Sequence, residues 1–201
     1  PPVPTAKSVI IPFAATVTHT KTNIPNIVTN TDTGGIDKMI IKIIIEGLIL
    51  GLLLIFVCAA AKRKSAAELV YLYHKDVQER CVSLGHITYK RMHRNNILFK
   101  SLCIPGYIAY VLICVYAING ANEFFTGFLQ LFAILSIMNL IDRFVIDEWW
   151  VGHTSAWDIP GTEDLKPYIT ARDKCAKWFF GTVGMAVIAA ILAGIMTIFI
   201  P

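Results

Sequence analysis

Four long apolar segments dominate the pattern of hydrophobic and polar positions along the chain. Residues 39–61, 101–118, 123–141 and 177–200 each fall within the roughly 17–25 residues that cross a hydrocarbon core as a helix. A core helix of a water-soluble protein would carry polar residues along one face, whereas these segments carry very few. The pattern predicts an all-α integral membrane protein with four transmembrane helices.

The distribution of Lys and Arg predicts which side of the membrane each connection faces. Residues 62–100 contain nine basic residues and residues 143–177 contain five, whereas the turn at 119–122 contains none. The first 38 residues contain three. Basic residues near the ends of membrane helices favour the cytoplasm. We therefore expect residues 62–100 and 142–176 to be cytoplasmic and both termini to be extracytoplasmic.

The N-terminal segment, residues 1–37, differs from the membrane domain that follows it at residues 38–201. It is rich in Thr and Pro, and the alternating run from Thr16 to Thr22 favours extended chain over helix. We expect an extended extracytoplasmic segment. Two interpretations stay open, an arm that adds a strand to a neighbour and a disordered tail.

The first connection is predicted to contain a cytoplasmic amphipathic helix. Between residues 65 and 95, apolar side chains recur at intervals of three and four. They form one stripe made of Leu69, Tyr73, Val77, Cys81 and Leu84. Such a helix can pack on the bundle, lie on the bilayer or meet a partner helix.

A basic cluster closes the same connection, immediately before the second membrane helix. Clustered basic side chains at this position attract anionic lipid headgroups. Without a glycine-rich phosphate loop, the cluster does not indicate a nucleic-acid partner. We predict contact with membrane lipids through Lys90, Arg91, Arg94 and Lys100.

Composition agrees with a membrane protein and bears on the cysteines. Hydrophobic residues make up 55% of the 201 residues and charged residues only 16%, against about a quarter charged in an average soluble domain. Three of the five cysteines lie in the apolar segments, and no C-x-x-C pair occurs. Because Cys81 and Cys175 lie in the polar connections, we expect them to be free, accessible thiols.

Glu46 is an ionisable group inside the first apolar segment. It follows Lys42 by four residues, so the two side chains can pair on one helix face near the outer end. Intramembrane carboxylates are functional candidates. A proton or cation site at Glu46 would need a second polar partner from another helix, and otherwise the carboxylate is paired and partly hydrated.

The stretch from residue 139 to residue 164 carries the candidate chemistry. If the third helix continues to about residue 152, it brings carboxylates and an imidazole to one membrane interface. Carboxylates with imidazole suit divalent metals and proton transfer alike. Asp142, Glu148 and His153 are therefore candidate catalytic and metal-binding residues.

The same stretch contains three tryptophans, which anchor helix ends at the headgroup level. Their large apolar surface predicts that residues 142–164 fold as a compact cytoplasmic cap, with His153 turned toward Asp142 or Glu148. Arg143 and Asp147 are placed to pair four residues apart.

The motif D-x4-D-x2-W-x2-H, from Asp142 to His153, is followed by Ile-Pro-Gly-Thr-Glu-Asp at residues 159–164. This segment resembles one in small bacterial multi-pass membrane proteins that carry no established function. The resemblance covers residues 130–200. It implies a location in a bacterial plasma membrane and no particular activity.

The fourth apolar segment begins with the spacing of a capping box, Thr170 with Asp173. It then presents small residues, among them Gly181, Gly184 and Gly194, which favour close packing of helices. We expect this face to mediate self-association.

Three classes of function remain. The first is a non-catalytic membrane subunit or self-assembling scaffold, either as a homo-oligomer or within a larger assembly. The second is a transporter or channel component. The third is a membrane enzyme that acts at the cytoplasmic interface through Asp142, Glu148 and His153. The sequence assigns neither a cofactor nor a substrate.

Overall fold

The computed structural model describes residues 33–200, and these residues form α-helices and short helical turns without a β-strand. The predicted extended N-terminal segment therefore lies outside the described residues, except for residues 33–37, which are already helical. The helices are α1 Thr33–Lys62, α2 Lys75–Ser83, α3 Tyr89–Leu112, α4 Phe124–Ile141 and α5 Ala171–Phe199.

Shorter helical pieces extend or connect these helices. α3 continues in π-helical turns over Ile113–Ile118, and α4 continues in the same way over Asp142–Val151. Turns of 3-10 helix lie at Ala66–Leu72, Ser155–Trp157 and Glu163–Leu165.

Four helices of the described residues are long and apolar enough to cross a membrane, as the sequence predicts. They span Gly34–Lys62, Tyr89–Ile118, Phe124–Val151 and Ala171–Phe199. Each contains 28 to 30 residues and continues beyond the apolar run, because helical hydrogen bonding does not stop where the apolar run ends. The chain therefore has the architecture of a multi-pass membrane protein.

The chain direction alternates to give two distinct ends of the bundle. The connections 63–88 and 152–170 lie at one end, which we call the capped end. The turn 119–123 lies at the other, which we call the open end. There, Nζ of Lys42 donates to the carbonyl oxygen of Ile118 at 3.0 Å and joins α1 to the end of α3.

Helix α4 is the centre of the bundle, with α1 on one side and α5 on the other. Glycines permit the close approach of α1. A Cβ built on Gly47 would lie 2.7 Å from Cβ of Ile137, and one built on Gly51 would lie 2.1 Å from Cδ1 of Ile141. The atom that meets Gly47 is a Cβ, which cannot shift without its helix, whereas Cδ1 of Ile141 is the flexible end of a side chain. The close approach of α1 to α4 therefore depends mainly on Gly47.

The small residues of α5 serve the same purpose, which changes the interpretation made from the sequence. A Cβ on Gly181 would lie 2.9 Å from the Asn139 amide, and Ala189 and Ala193 are fully buried. These residues pack inside the chain rather than against a second copy. Gly184 has open space around it.

The predicted amphipathic helix between residues 65 and 95 is broken into three pieces. Its apolar stripe packs inward as expected up to Cys81, since Leu69, Val77 and Cys81 are at most 2% exposed, but Leu84 at the end of the stripe is 48% exposed. The helix itself stops because Gly85 adopts φ +76°, a left-handed conformation that glycine favours. Thr88 then caps α3, with its hydroxyl accepting from the Arg91 amide at 3.3 Å.

The cap predicted over residues 142–164 is found in part: residues 142–151 continue α4 as a helix, whereas residues 152–170 fold as a compact cap over the capped end. Trp157 is 2% exposed, and its ring meets that of Trp150 edge to face at a centroid distance of 5.0 Å. Nζ of Lys62 lies over both rings, 5.4 and 5.2 Å from their centroids. Tyr168 is buried against Tyr73, and the two rings stack at 4.9 Å. The cap is thereby fastened to the last turn of α1 and to the first connection.

The start of α5 confirms the predicted capping box. The Thr170 hydroxyl accepts from the amide of Asp173, and the Asp173 carboxylate accepts from the amide of Thr170 at 2.8 Å. His74, at the start of α2, bonds the same carboxylate at 2.5 Å. This reciprocal bonding fixes where the chain leaves the cap and enters α5.

Candidate functional site

A cavity of about 630 Å³ with several charged side chains in its lining lies between the π-helical continuation of α4, the cap and the start of α5. We call it the cap cavity. Glu148 and His153 both line it, and Asp142 does not. The structure therefore brings together two of the three residues predicted to form a site.

Glu148 and His153 lie close together without a bond between their side chains. The Glu148 carboxylate forms an ion pair with Lys174 of α5. The imidazole of His153 donates from Nδ1 to the backbone carbonyl of Glu148 at 2.6 Å and is exposed. The predicted contact of His153 with a carboxylate is thus replaced by a backbone contact, because the lysine already occupies the carboxylate.

Asp142 belongs to a different group of charges, which we call the buried ion-pair cluster. It lies beside Arg143, with 3.5 Å between Oδ2 and Nη1. The same Nη1 donates to Oδ2 of Asp147 at 2.9 Å, as the four-residue spacing predicts. Nη2 of Arg143 donates to the Asn139 amide oxygen at 3.1 Å, and Lys177 of α5 donates to Asp147 at 2.9 Å. This cluster joins α4 to α5.

Further charged residues that sequence reasoning did not select also line the cap cavity. Asp158 forms an ion pair with Lys166 at 2.6 Å, and this hydrogen bond raises the pKa of the lysine. The sequence spacing of Asp158 and Lys166 does not predict an ion pair, because the two residues meet only through the fold of the cap. The carboxylates of the cavity are therefore matched by lysines, and the cavity is close to neutral.

The cap cavity could bind a small charged molecule by exchange of these ion pairs. Among residues 33–200, no three His, Cys, Asp or Glu side chains are grouped so as to hold a metal ion. All five cysteines are free, and Cys81 is fully buried, unlike the exposed Cys175.

A second polar contact lies toward the open end, at Glu46. The residue is only 6% exposed, and its carboxylate accepts from Nδ2 of Asn119 at 2.9 Å. Lys42, the predicted partner of Glu46, instead donates a hydrogen bond to the carbonyl oxygen of Ile118. The partner of Glu46 thus comes from the turn after α3. Leu50 and Leu54, the next residues on this face of α1, are buried and apolar.

The four residues predicted to meet lipid headgroups are all exposed on α3. Arg91 forms an ion pair with Glu68. The other three, Lys90, Arg94 and Lys100, have no ion-pair partner within the part of the chain that the structure describes.

Comparison of the chain with protein-family models, with curated proteins and with solved structures finds no significant match. Function must therefore be argued from the geometry of the chain itself.

Proposed function

We propose that the chain is a non-catalytic multi-pass membrane protein that acts as a self-assembling scaffold or as a subunit of a larger membrane assembly. One observation carries the proposal, namely that each candidate catalytic group is engaged within its own chain. Asp142 lies beside Arg143, Glu148 is paired with Lys174, and His153 bonds the backbone. In these contacts each group is paired with a cation or with the backbone, and no two of the three are paired with each other as an acid and a base.

The proposed orientation places the capped end in the cytoplasm of a bacterium, with both termini outside its plasma membrane. Both basic connections lie at the capped end, so a single orientation satisfies the preference of Lys and Arg for the cytoplasm. The short turn at the open end carries no basic residue.

The surface proposed for self-assembly is the outer face of α5. Large apolar side chains such as Phe180, Val183 and Ile191 are exposed there, from 46 to 71%. Gly184 lies among them with open space where a Cβ would be. A glycine on an apolar helix surface lets a second helix approach closely.

A matched pair of substitutions tests self-assembly. Gly184→Leu fills the open space and should reduce crosslinking between copies in native membranes, whereas Gly106→Leu, at an equally open glycine of α3 outside this face, should leave crosslinking unchanged. Equal crosslinking of both variants would show that this face of α5 contacts lipid.

A second pair of substitutions tests the absence of catalysis. Glu148→Gln and His153→Ala together remove the two candidate groups of the cap cavity. If a strain lacking the protein has a growth defect, the double variant should rescue it as well as the parent. Failure to rescue, with normal membrane levels of the variant, would instead favour the membrane enzyme.

The transporter or channel component is the second candidate function, and the Glu46 contact favours it. A buried carboxylate with a polar partner from another segment of the chain, the turn after α3, is one element of a proton or cation site. Proteoliposomes should then show a cation or proton flux that Glu46→Gln abolishes. Liposomes without flux would leave the scaffold as the function.

A further inference from the structure

A second cavity, of about 650 Å³, lies between the last turns of α1 and the first half of α3, beside the turn Ala66–Leu72. We call it the α1–α3 cleft. Its volume falls within the roughly 300–1,000 Å³ of small-ligand sites. It is distinct from the cap cavity, with which it shares no lining residue.

One part of the cleft is strongly basic. Four basic side chains line it against a single carboxylate, Glu68. That carboxylate is already neutralised, since it accepts from Nε of Arg91 at 3.1 Å and from the amide of Asn95 at 2.6 Å. Arg63, Lys64 and Arg94 are left without an ion-pair partner in the described part of the chain. We call these three residues the charged rim.

The rest of the cleft is apolar and opens sideways. Phe56 of α1 and Leu98 and Leu102 of α3 line it and are 59 to 76% exposed. Phe56 lies seven residues before Arg63, which directly follows the end of α1, and Leu102 lies eight residues after Arg94 on α3. At 1.5 Å per residue, the apolar part extends about 10–12 Å from the charged rim. This apolar part lies within the two helices Gly34–Lys62 and Tyr89–Ile118, which are long and apolar enough to cross a membrane.

We infer that the α1–α3 cleft binds one anionic phospholipid, with its phosphate at the charged rim and part of one acyl chain along the apolar part. The order of chemistry along the cleft, cationic at the helix ends and apolar deeper in the spans, matches the order along such a lipid. A soluble anion would match only the rim, and a neutral lipid would leave three positive charges uncompensated.

The inference changes the lipid contact predicted from the sequence. Arg94 keeps its role, but the charge of Arg91 is used to hold Glu68 and shape the wall of the cleft. Arg63 and Lys64 join the site because the end of α1 lies beside α3. Lys90 and Lys100 do not line this cleft. The inference goes beyond the scaffold role and requires only that the chain lies in a membrane.

Charge removal at matched positions tests the rim. Lipid binding to the full chain in detergent is measured by native mass spectrometry with phosphatidylglycerol and with phosphatidylcholine of the same acyl chains. At about fivefold per basic residue, the parent should prefer the anionic lipid by roughly a hundredfold. The triple variant Arg63→Gln, Lys64→Gln, Arg94→Gln should lose this preference.

The control triple variant removes the same charge at the same end, through Lys75→Gln, Lys100→Gln and Arg172→Gln. These residues are exposed, lie outside the cleft and have no ion-pair partner among residues 33–200. This variant should keep the parent's preference. An equal loss in both triple variants would show general surface attraction and overturn the site.

Filling the apolar part tests the acyl chain without altering charge. Ala60 lines the cleft, whereas its exposed neighbour Ala59 does not. Ala60→Trp should weaken binding of phosphatidylglycerol, and Ala59→Trp should not. Melting without added lipid checks that both variants fold alike. Equal binding by both variants, or equally tight binding of inorganic phosphate by the parent, would overturn the inference.

Discussion

Lys177 of α5 donates from Nζ to Oδ2 of Asp147, at the end of α4, at 2.9 Å. The same carboxylate oxygen accepts from Nη1 of Arg143 at the same distance. Asp147 is 8% exposed, so a single carboxylate balances two cations in a mostly buried position. At the capped end, one buried acidic side chain therefore links α5 to α4 electrostatically, in addition to the close packing of the small residues of α5.

Asp147→Asn should destabilise the fold. The substitution removes the negative charge shared by Arg143 and Lys177, and hydrogen bonds to charged groups contribute about 1.5–3 kcal/mol each. We expect the melting temperature in detergent to fall clearly. Glu148→Gln is the matched control, since the Glu148–Lys174 pair is 46% and 39% exposed and contributes less. A smaller loss for Asp147→Asn than for Glu148→Gln would contradict the buried ion-pair cluster.

Gly47→Ala should weaken the contact of α1 with α4. Its Cβ would meet Cβ of Ile137 at 2.7 Å, and overpacking of this kind costs about 1–3 kcal/mol. Gly106→Ala on α3 meets nothing within 4 Å and should be neutral or slightly stabilising. Thermal melting of the two variants in one detergent compares them directly. If Gly47→Ala melts with or above Gly106→Ala, α1 does not lie against α4 as described.

Thr162→Val should loosen the cap while leaving the membrane helices intact. The buried Thr162 hydroxyl donates to the Ile159 carbonyl at 2.8 Å and bonds the hydroxyl of Tyr168, also at 2.8 Å. Valine keeps the shape but removes both hydrogen bonds and leaves the Tyr168 O–H without an acceptor, at about 1–3 kcal/mol. The Ile159 carbonyl keeps its bond from the Thr162 amide at 3.2 Å. Limited proteolysis within residues 152–170 should accelerate. Thr182→Val, at an exposed position of α5, is the control and should not change the cleavage rate.

Thiol labelling should distinguish Cys175 from Cys81. Cys175 is exposed at the start of α5, whereas Cys81 is 0% exposed and its burial raises the pKa of the thiol. Because the thiolate is the reactive form, Cys81 should label only after the protein is unfolded. Variants that retain one cysteine each, treated with a maleimide in detergent, measure the difference. Rapid labelling of Cys81 in the folded protein would contradict the packing of α2.

The same reagent tests orientation. In sealed cells, a membrane-impermeant maleimide should leave Cys175 unmodified, and in inverted vesicles it should modify Cys175, because the capped end is expected in the cytoplasm. Cys81 and Cys175 both lie in polar connections, so the sequence alone suggests both as reporters of orientation. Because Cys81 is buried, only Cys175 can be used. Modification of Cys175 in sealed cells would reverse the proposed topology.

Features that depend on local spacing could be predicted from the sequence. The four apolar runs give the four long helices, since length and hydropathy are properties of continuous sequence. The Thr170–Asp173 capping box and the Arg143–Asp147 pair lie three and four residues apart, where helix geometry brings side chains together. The inward stripe between residues 65 and 83 is likewise periodic.

Features that depend on how helices pack could not be predicted in the same way. Asn119 reaches Glu46, and Lys174 reaches Glu148, only after separate helices have come together. The sequence pattern does not predict that the helix ends near Gly85, because the apolar stripe continues at nearly helical spacing up to Leu84. The sequence therefore predicts which segment carries the candidate site, but it does not predict the basic residue of another helix, Lys174, that pairs with Glu148.

The glycine contact between α1 and α4 also constrains how the protein is made. α1 and α3 are synthesised first, yet Gly47 and Gly51 of α1 pack against Ile137 and Ile141 of α4. Helices inserted in chain order must therefore wait for a later helix before they can assemble. A nascent chain that has just released α3 holds α1 in lipid without its main packing surface, and the arrival of α4 sets the moment at which the bundle can close.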